Sequence, residues 1–114
     1  MIEVRIIKYL ISKKIADGQV YAEVPAEKPN KYVVIQKTAS GLEDGLNSAM
    51  VAVQSISQDS LLDAMTLNES VKQEMLSMAE ENDDIYSCKL NSDYNYTDTE
   101  TKEYRYQAVF NLYF

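Results

Sequence analysis

The sequence predicts an α+β domain. It expects a mixed five-stranded sheet with an N-terminal helix and a second helix packed mainly on one face, in the order α-β-β-β-α-β-β. Three observations lead there. Apolar residues recur at helical spacing in two separated segments. Runs rich in β-branched and aromatic residues fill much of the remainder. The chain has 114 residues, 46% hydrophobic and 25% charged, enough for one core and too short for two, so residues 1–114 read as a single domain.

Residues 2–15 read as an amphipathic helix. Ile2, Ile6 and Tyr9, with Ile7, Leu10, Ile11 and Ile15, make its apolar stripe, and Asp17-Gly18 ends it. Residues 20–24 form a short strand stopped by Pro25, and 25–31 a polar link with two prolines. Residues 32–38 are a Val/Ile strand. Residues 39–48, with two glycines, read as a loop that stays mobile in an isolated subunit. Residues 49–56 form a third strand. The runs at 33–35 and 50–53 are apolar on both faces, as strands near a sheet centre are.

From Gln58 the period turns helical through residue 79, with Leu61, Ala64, Asn68, Val71, Met75 and Met78 in one stripe and Ser57 or Asp59 as cap. Glu80-Glu81-Asn82-Asp83-Asp84 is a solvated connector without the ligand spacing of a calcium loop. Residues 85–90 form a strand, 91–102 are polar and turn-like, and 104–114 alternate as a half-buried strand. Short links favour antiparallel pairing of strands 1–2, 2–3 and 4–5. Strand 3, the helix and strand 4 make a right-handed crossover if those strands are parallel neighbours.

The composition argues against most catalysis. Histidine is absent, which removes the commonest general base and metal ligand. The single cysteine, Cys88, reads as a small buried strand residue, and with no partner for a disulfide it fits a reducing compartment. Gly41-Leu42-Glu43-Asp44-Gly45 is not a phosphate loop. No apolar run is long enough to span a bilayer. The expectation is a protein that is not an enzyme, with no catalytic residue, cofactor, metal or membrane.

The charge is uneven. The whole chain carries −7, but residues 1–38 hold seven basic and four acidic groups, whereas 80–103 hold eight acidic groups against Lys89 and Lys102. Opposite charge on two sides of a subunit suits head-to-tail self-association. Nine tyrosines, many in or beside strands, suit surfaces that are wet in one state and buried in another.

Two segments resemble a known family. Val20-Tyr21-Ala22-Glu23-Val24-Pro25 followed by Glu27-Lys28-Pro29-Asn30-Lys31-Tyr32-Val33-Val34-Ile35 is similar to the opening of tail terminator (tail completion) proteins of long-tailed phages and prophages. The stretch from Tyr94-Asn95-Tyr96 through Tyr104-Arg105-Tyr106-Gln107 to Phe110 resembles their closing segment. Ile56 stands near the place where many relatives carry a large aromatic.

The resemblance implies a structural role without catalysis. A ring, usually of six copies, ends tail-tube polymerisation and presents the head-joining surface. Its partners are itself, the tail tube protein and a head-completion or connector protein. DNA passes through without specific binding. The location is the virion tail, with synthesis in the bacterial host cytoplasm. Candidate subunit-interface residues are Lys28, Lys31, Tyr94, Tyr96, Tyr104, Arg105 and Tyr106. Candidate bore-facing acids are Glu80, Glu81, Asp83 and Asp84. Another head–tail connector or head-completion protein, a small acidic intracellular binding module and a carboxylate-dependent hydrolase stand as alternatives.

Overall fold

A computed structural model of the chain describes residues 1–101 and 103–114, with Glu43 described by its backbone alone. Lys102, counted above in the acidic stretch and in the closing segment, lies outside the described residues. The elements are α1 (Ile2–Ser12), a 3-10 turn (Ile15–Gly18), β1 (Val20–Tyr21), β2 (Lys31–Glu43), β3 (Leu46–Ser57), α2 (Leu61–Leu76), α3 (Met78–Glu81), β4 (Ser87–Asn95) and β5 (Tyr104–Tyr113). This is the expected α+β class, with one additional short helix.

The five strands form one mixed sheet in the order β1-β2-β3-β5-β4. β3 therefore sits at the centre, and every residue from Val51 to Ser57 is buried. Pairing with β2 and β5 is antiparallel, as is that of β4 with β5. β1 is the exception. It runs parallel to β2, Val20 opposite Val33, where an antiparallel pair was expected. The connection from 22 to 30 carries Pro25 and Pro29, which cannot donate to a ladder, so the strand stops after Tyr21. The chain then re-enters in the same direction. Gln58 Nε2 holds this link by donating to the carbonyls of Lys28 (3.1 Å) and Pro29 (2.8 Å).

The expected loop at 39–48 is a β-hairpin. β2 and β3 remain paired out to Glu43 opposite Leu46. Asp44 (φ 50°) and Gly45 (φ 80°) both take positive φ, the requirement of a tight two-residue hairpin turn. β3 and β4 run the same way but are not neighbours, because β5 lies between them. The polar residues 91–95 belong to β4. They show no alternation because this is an edge strand, and its register shifts between Leu90 and Ser92.

Helix boundaries shift as well. α1 ends at Ser12, and Lys14, Ala16 and Asp17 turn through left-handed conformations before Gly18. Ser60, rather than Ser57 or Asp59, caps α2 by accepting from Asp63 N at 3.1 Å. Ser57 Oγ instead accepts from the backbone N–H groups of Asp59 and Ser60 in the preceding turn. Glu80 and Glu81 complete α3 rather than a connector.

Both helices cover one face of the sheet. Ile2, Ile6, Tyr9 and Leu10 of α1 and Leu67, Val71 and Met75 of α2 share a core with Val33, Ile35, Val51, Val53, Ala108, Phe110 and Leu112. The opposite face holds a smaller buried cluster of Tyr32, Val34 and Ile56, flanked by Tyr21.

Burying a charge at Val53 leaves it unpaired beneath the helices. Val53→Asp should cost several kcal/mol and abolish a cooperative thermal transition. Val109→Asp, half-buried on the uncovered face, should keep one. In hydrogen exchange, the amides of Asn47 and Phe114 should be protected, because each donates to the other's carbonyl, at 3.0 and 2.9 Å.

Candidate functional site

The two groups of site residues predicted from sequence fall at opposite ends of the sheet. β2 and β5 begin where β3 and β4 end. There Lys31 and Tyr104 both lie opposite Ser57, and Asn95 lies opposite Tyr106. Tyr96 N donates to Arg105 O at 2.8 Å, and the Tyr94 and Tyr96 rings meet edge to face at 6.1 Å. All seven candidate interface residues thus gather at this aromatic end. α2 starts here and runs about 24 Å, at 1.5 Å per residue, toward α3 and the 80–84 acids at the other end.

The aromatic end is organised by a residue not singled out from sequence. Glu103 is a buried carboxylate, 5% exposed. Tyr32 OH donates to it at 2.6 Å and Lys28 Nζ at 3.0 Å, with the Arg105 guanidinium at 3.6 Å. Burial pushes its pKa up. The hydrogen bonds from Tyr32 and Lys28 and the charges of Lys28 and Arg105 outweigh this, and the group sits below its ordinary value. Tyr32 is raised by burial and by the same hydrogen bond. Glu103 ties the proline link, β2 and β5 together. The one available signal was an acid directly before an alternating strand, which is weak.

Lys28 and Arg105 therefore neutralise a carboxylate of their own chain. Lys31 has no ion pair among the described residues. At the acidic end, Arg5 pairs with Asp84 at 2.6 Å. Lys13 pairs with Glu81, which also accepts from Tyr9 OH at 2.6 Å. Hydrogen bonds from Lys13 and Tyr9 lower the Glu81 pKa. No ion pair engages Glu80 or Asp83 among the described residues. Three cations of the basic segment thus meet acids of the 80–103 stretch inside one molecule.

Among the described residues no group of three or more Cys, Asp or Glu side chains could hold a metal. Cys88 is buried and its thiol is pushed up to about 12 by desolvation, so it is a poor nucleophile. The uncovered sheet face carries a hydrogen-bonded line across three strands. Gln54 Nε2 donates to Gln107 Oε1 at 3.0 Å, and Gln107 Nε2 to Tyr94 OH at 2.5 Å.

No protein-family model matches the chain, and no curated protein matches it in sequence. Among solved structures, it is similar to a chain of the virion of a native gene transfer agent (GTA) particle. The TM-score is 0.67 at 14% identity, covering 97% of this chain and 87% of that one. At that identity the likeness establishes the shared fold.

The Glu103 node has a pH signature. Its folded pKa lies below the unfolded value of about 4.3, so its contribution is present above that pH and is lost as pH falls through the lower folded value. Glu103→Gln should cost about 1–3 kcal/mol at pH 7. Its Tm deficit against wild type should shrink as pH drops below about 4. A deficit constant from pH 7 to pH 3 would contradict the assignment.

Proposed function

We propose that this chain is a structural protein of a phage or phage-like virion and, more finely, a tail terminator. A ring of copies, six by resemblance, would close the end of the tail tube and present a surface to a head-completion or connector protein. The observation that carries the reading is the fold likeness to a GTA virion chain along 97% of the sequence. The Val20–Ile35 and Tyr94–Phe110 segments that resemble tail terminators add the finer role.

The two ends of the sheet differ in chemistry, as a subunit touching two different partners requires. One end is aromatic with a braced carboxylate, and the other is acidic. In a ring, Glu80 and Asp83, which carry no ion pair among the described residues, would keep passing DNA from adhering, while Glu81 and Asp84 are held by Lys13 and Arg5. No step calls for an enzyme, metal or cofactor. Synthesis in a bacterial cytoplasm and residence in the virion tail follow from this reading.

Sedimentation velocity and negative-stain imaging of the concentrated protein test it. The expected outcome is a closed ring of one copy number that shortens tail tubes when added during their polymerisation. Assembly should weaken modestly with salt, since exposed ion pairs contribute only about 0–1 kcal/mol each. A strict monomer at every concentration would overturn the ring. A ring without effect on tubes would leave another head–tail joining component as the better reading.

A further inference from the structure

We infer that the exposed face of α1 in one copy seats in a groove beside α2 and β5 of the next copy. This rests on the ring reading above and names the surfaces that build it. The groove, about 270 Å³, is lined by Leu62, Met65, Asn68, Glu69, Asp93 and Tyr106 among others. Leu62 is 70% and Met65 40% exposed, which leaves apolar surface open to water.

The polar side of the groove combines the Thr66 and Tyr106 hydroxyls with an amide oxygen and two carboxylates. Asn68 is 1% exposed, its Nδ2 donates to Asp93 at 3.0 Å, and its Oδ1 has no hydrogen-bond partner. Lys72 is held by Asp93 at 2.9 Å and Glu69 at 3.0 Å, so the nearby ammonium is already engaged. Two carboxylates and one ammonium leave the rim net negative. An occupant must bring apolar groups and a cation.

The α1 helix presents that combination. Val4 and Ile11 are each 42% exposed. At about 100° per residue, Val4, Lys8 and Ile11 fall within an arc of about 60°. Arg5 and Lys13 are taken by Asp84 and Glu81, whereas Lys8 has no ion pair among the described residues.

The strand order keeps the two surfaces apart in one molecule. α1 packs over β1 and β2 at one flank, and α2 lies over β3, β5 and β4 toward the other. Contact between them must therefore join different copies, and repetition of it is heterologous, which generates a ring where the rotation between copies closes. Like-to-like pairing would set Lys8 against Lys8, or one acidic rim against another, so this arrangement is disfavoured.

A charge swap tests the contact by sedimentation velocity over a concentration series. Lys8 and Leu62 are both exposed, so their variants should fold, which matching wild-type melting curves would check. Lys8→Glu and Leu62→Lys should each raise the concentration needed for assembly by on the order of tenfold, the size of one lost central contact. The double variant should recover most of that loss. Independent evidence comes from Ile11→Cys/Met65→Cys, which should form an intermolecular disulfide ladder on oxidation, with Cys88 too buried to contribute. Wild-type assembly with unaffected single variants and no ladder would overturn the contact and leave the ring standing. A monomeric wild type would overturn both.

Discussion

Seven consecutive buried residues, Val51 to Ser57, impose the arrangement of the rest of the chain. A strand with no solvent-facing side chain over that length must be paired on both edges and shielded on both faces, here by helices on one and by neighbouring side chains on the other. Each Val or Ile so buried contributes about 1.5–3 kcal/mol. β2 supplies one edge because Asp44-Gly45 folds it back directly, and β5 supplies the other. α2 starts four residues after β3 ends and lies back across it. β4 is left with an outer position, where polar residues and a register shift are tolerable.

That arrangement explains the uneven charge of the chain. Residues 1–38 look cationic and 80–103 acidic when read linearly. Folding brings Arg5 to Asp84, Lys13 to Glu81 and Lys28 to Glu103. Opposite charges separated by about 75 positions serve to dock α1 and the proline link onto the rest of the subunit. Most of these groups are partly exposed, where ion pairs contribute little. In the proposed ring, association between copies would then draw on groups that folding leaves unpaired, and chiefly on apolar contact.

The fold class, the placement of both helices on one face and the burial of Cys88 were legible because each leaves a periodic trace. Ile2, Ile6 and Leu10 mark one helix face, and Val33, Ile35, Val51 and Val53 mark the strand positions beneath it. The hairpin was missed although Asp44-Gly45 carries its turn signal. The polar flanks at Ser40, Gly41, Asn47 and Ser48 lack strand character because a projecting hairpin has little to bury. The parallel β1 pair was illegible, since a two-residue strand has no period. Glu103 was illegible for a different reason. Its burial depends on Tyr32 and Lys28, more than seventy positions away, and nothing local marks a carboxylate as buried.

Five strands and two helices leave one sheet face without a helical cover, and the side chains there resolve the difficulty laterally. At the aromatic end, Tyr32, Val34 and Ile56 bury one another beneath Tyr21 and the proline link that Glu103 and Gln58 hold down. Beyond them, Gln54, Gln107 and Tyr94 satisfy each other across β3, β5 and β4. Glutamines that are already paired with one another gain little from being covered. Such a face can border water without further burial. In the proposed ring, a neighbouring copy would cover apolar groups that remain wet, among them Leu62 and Met65 on one flank and Val4 and Ile11 on the other. Because these two flanks are separated across the sheet, the head-to-tail contact proposed above would cover both at once.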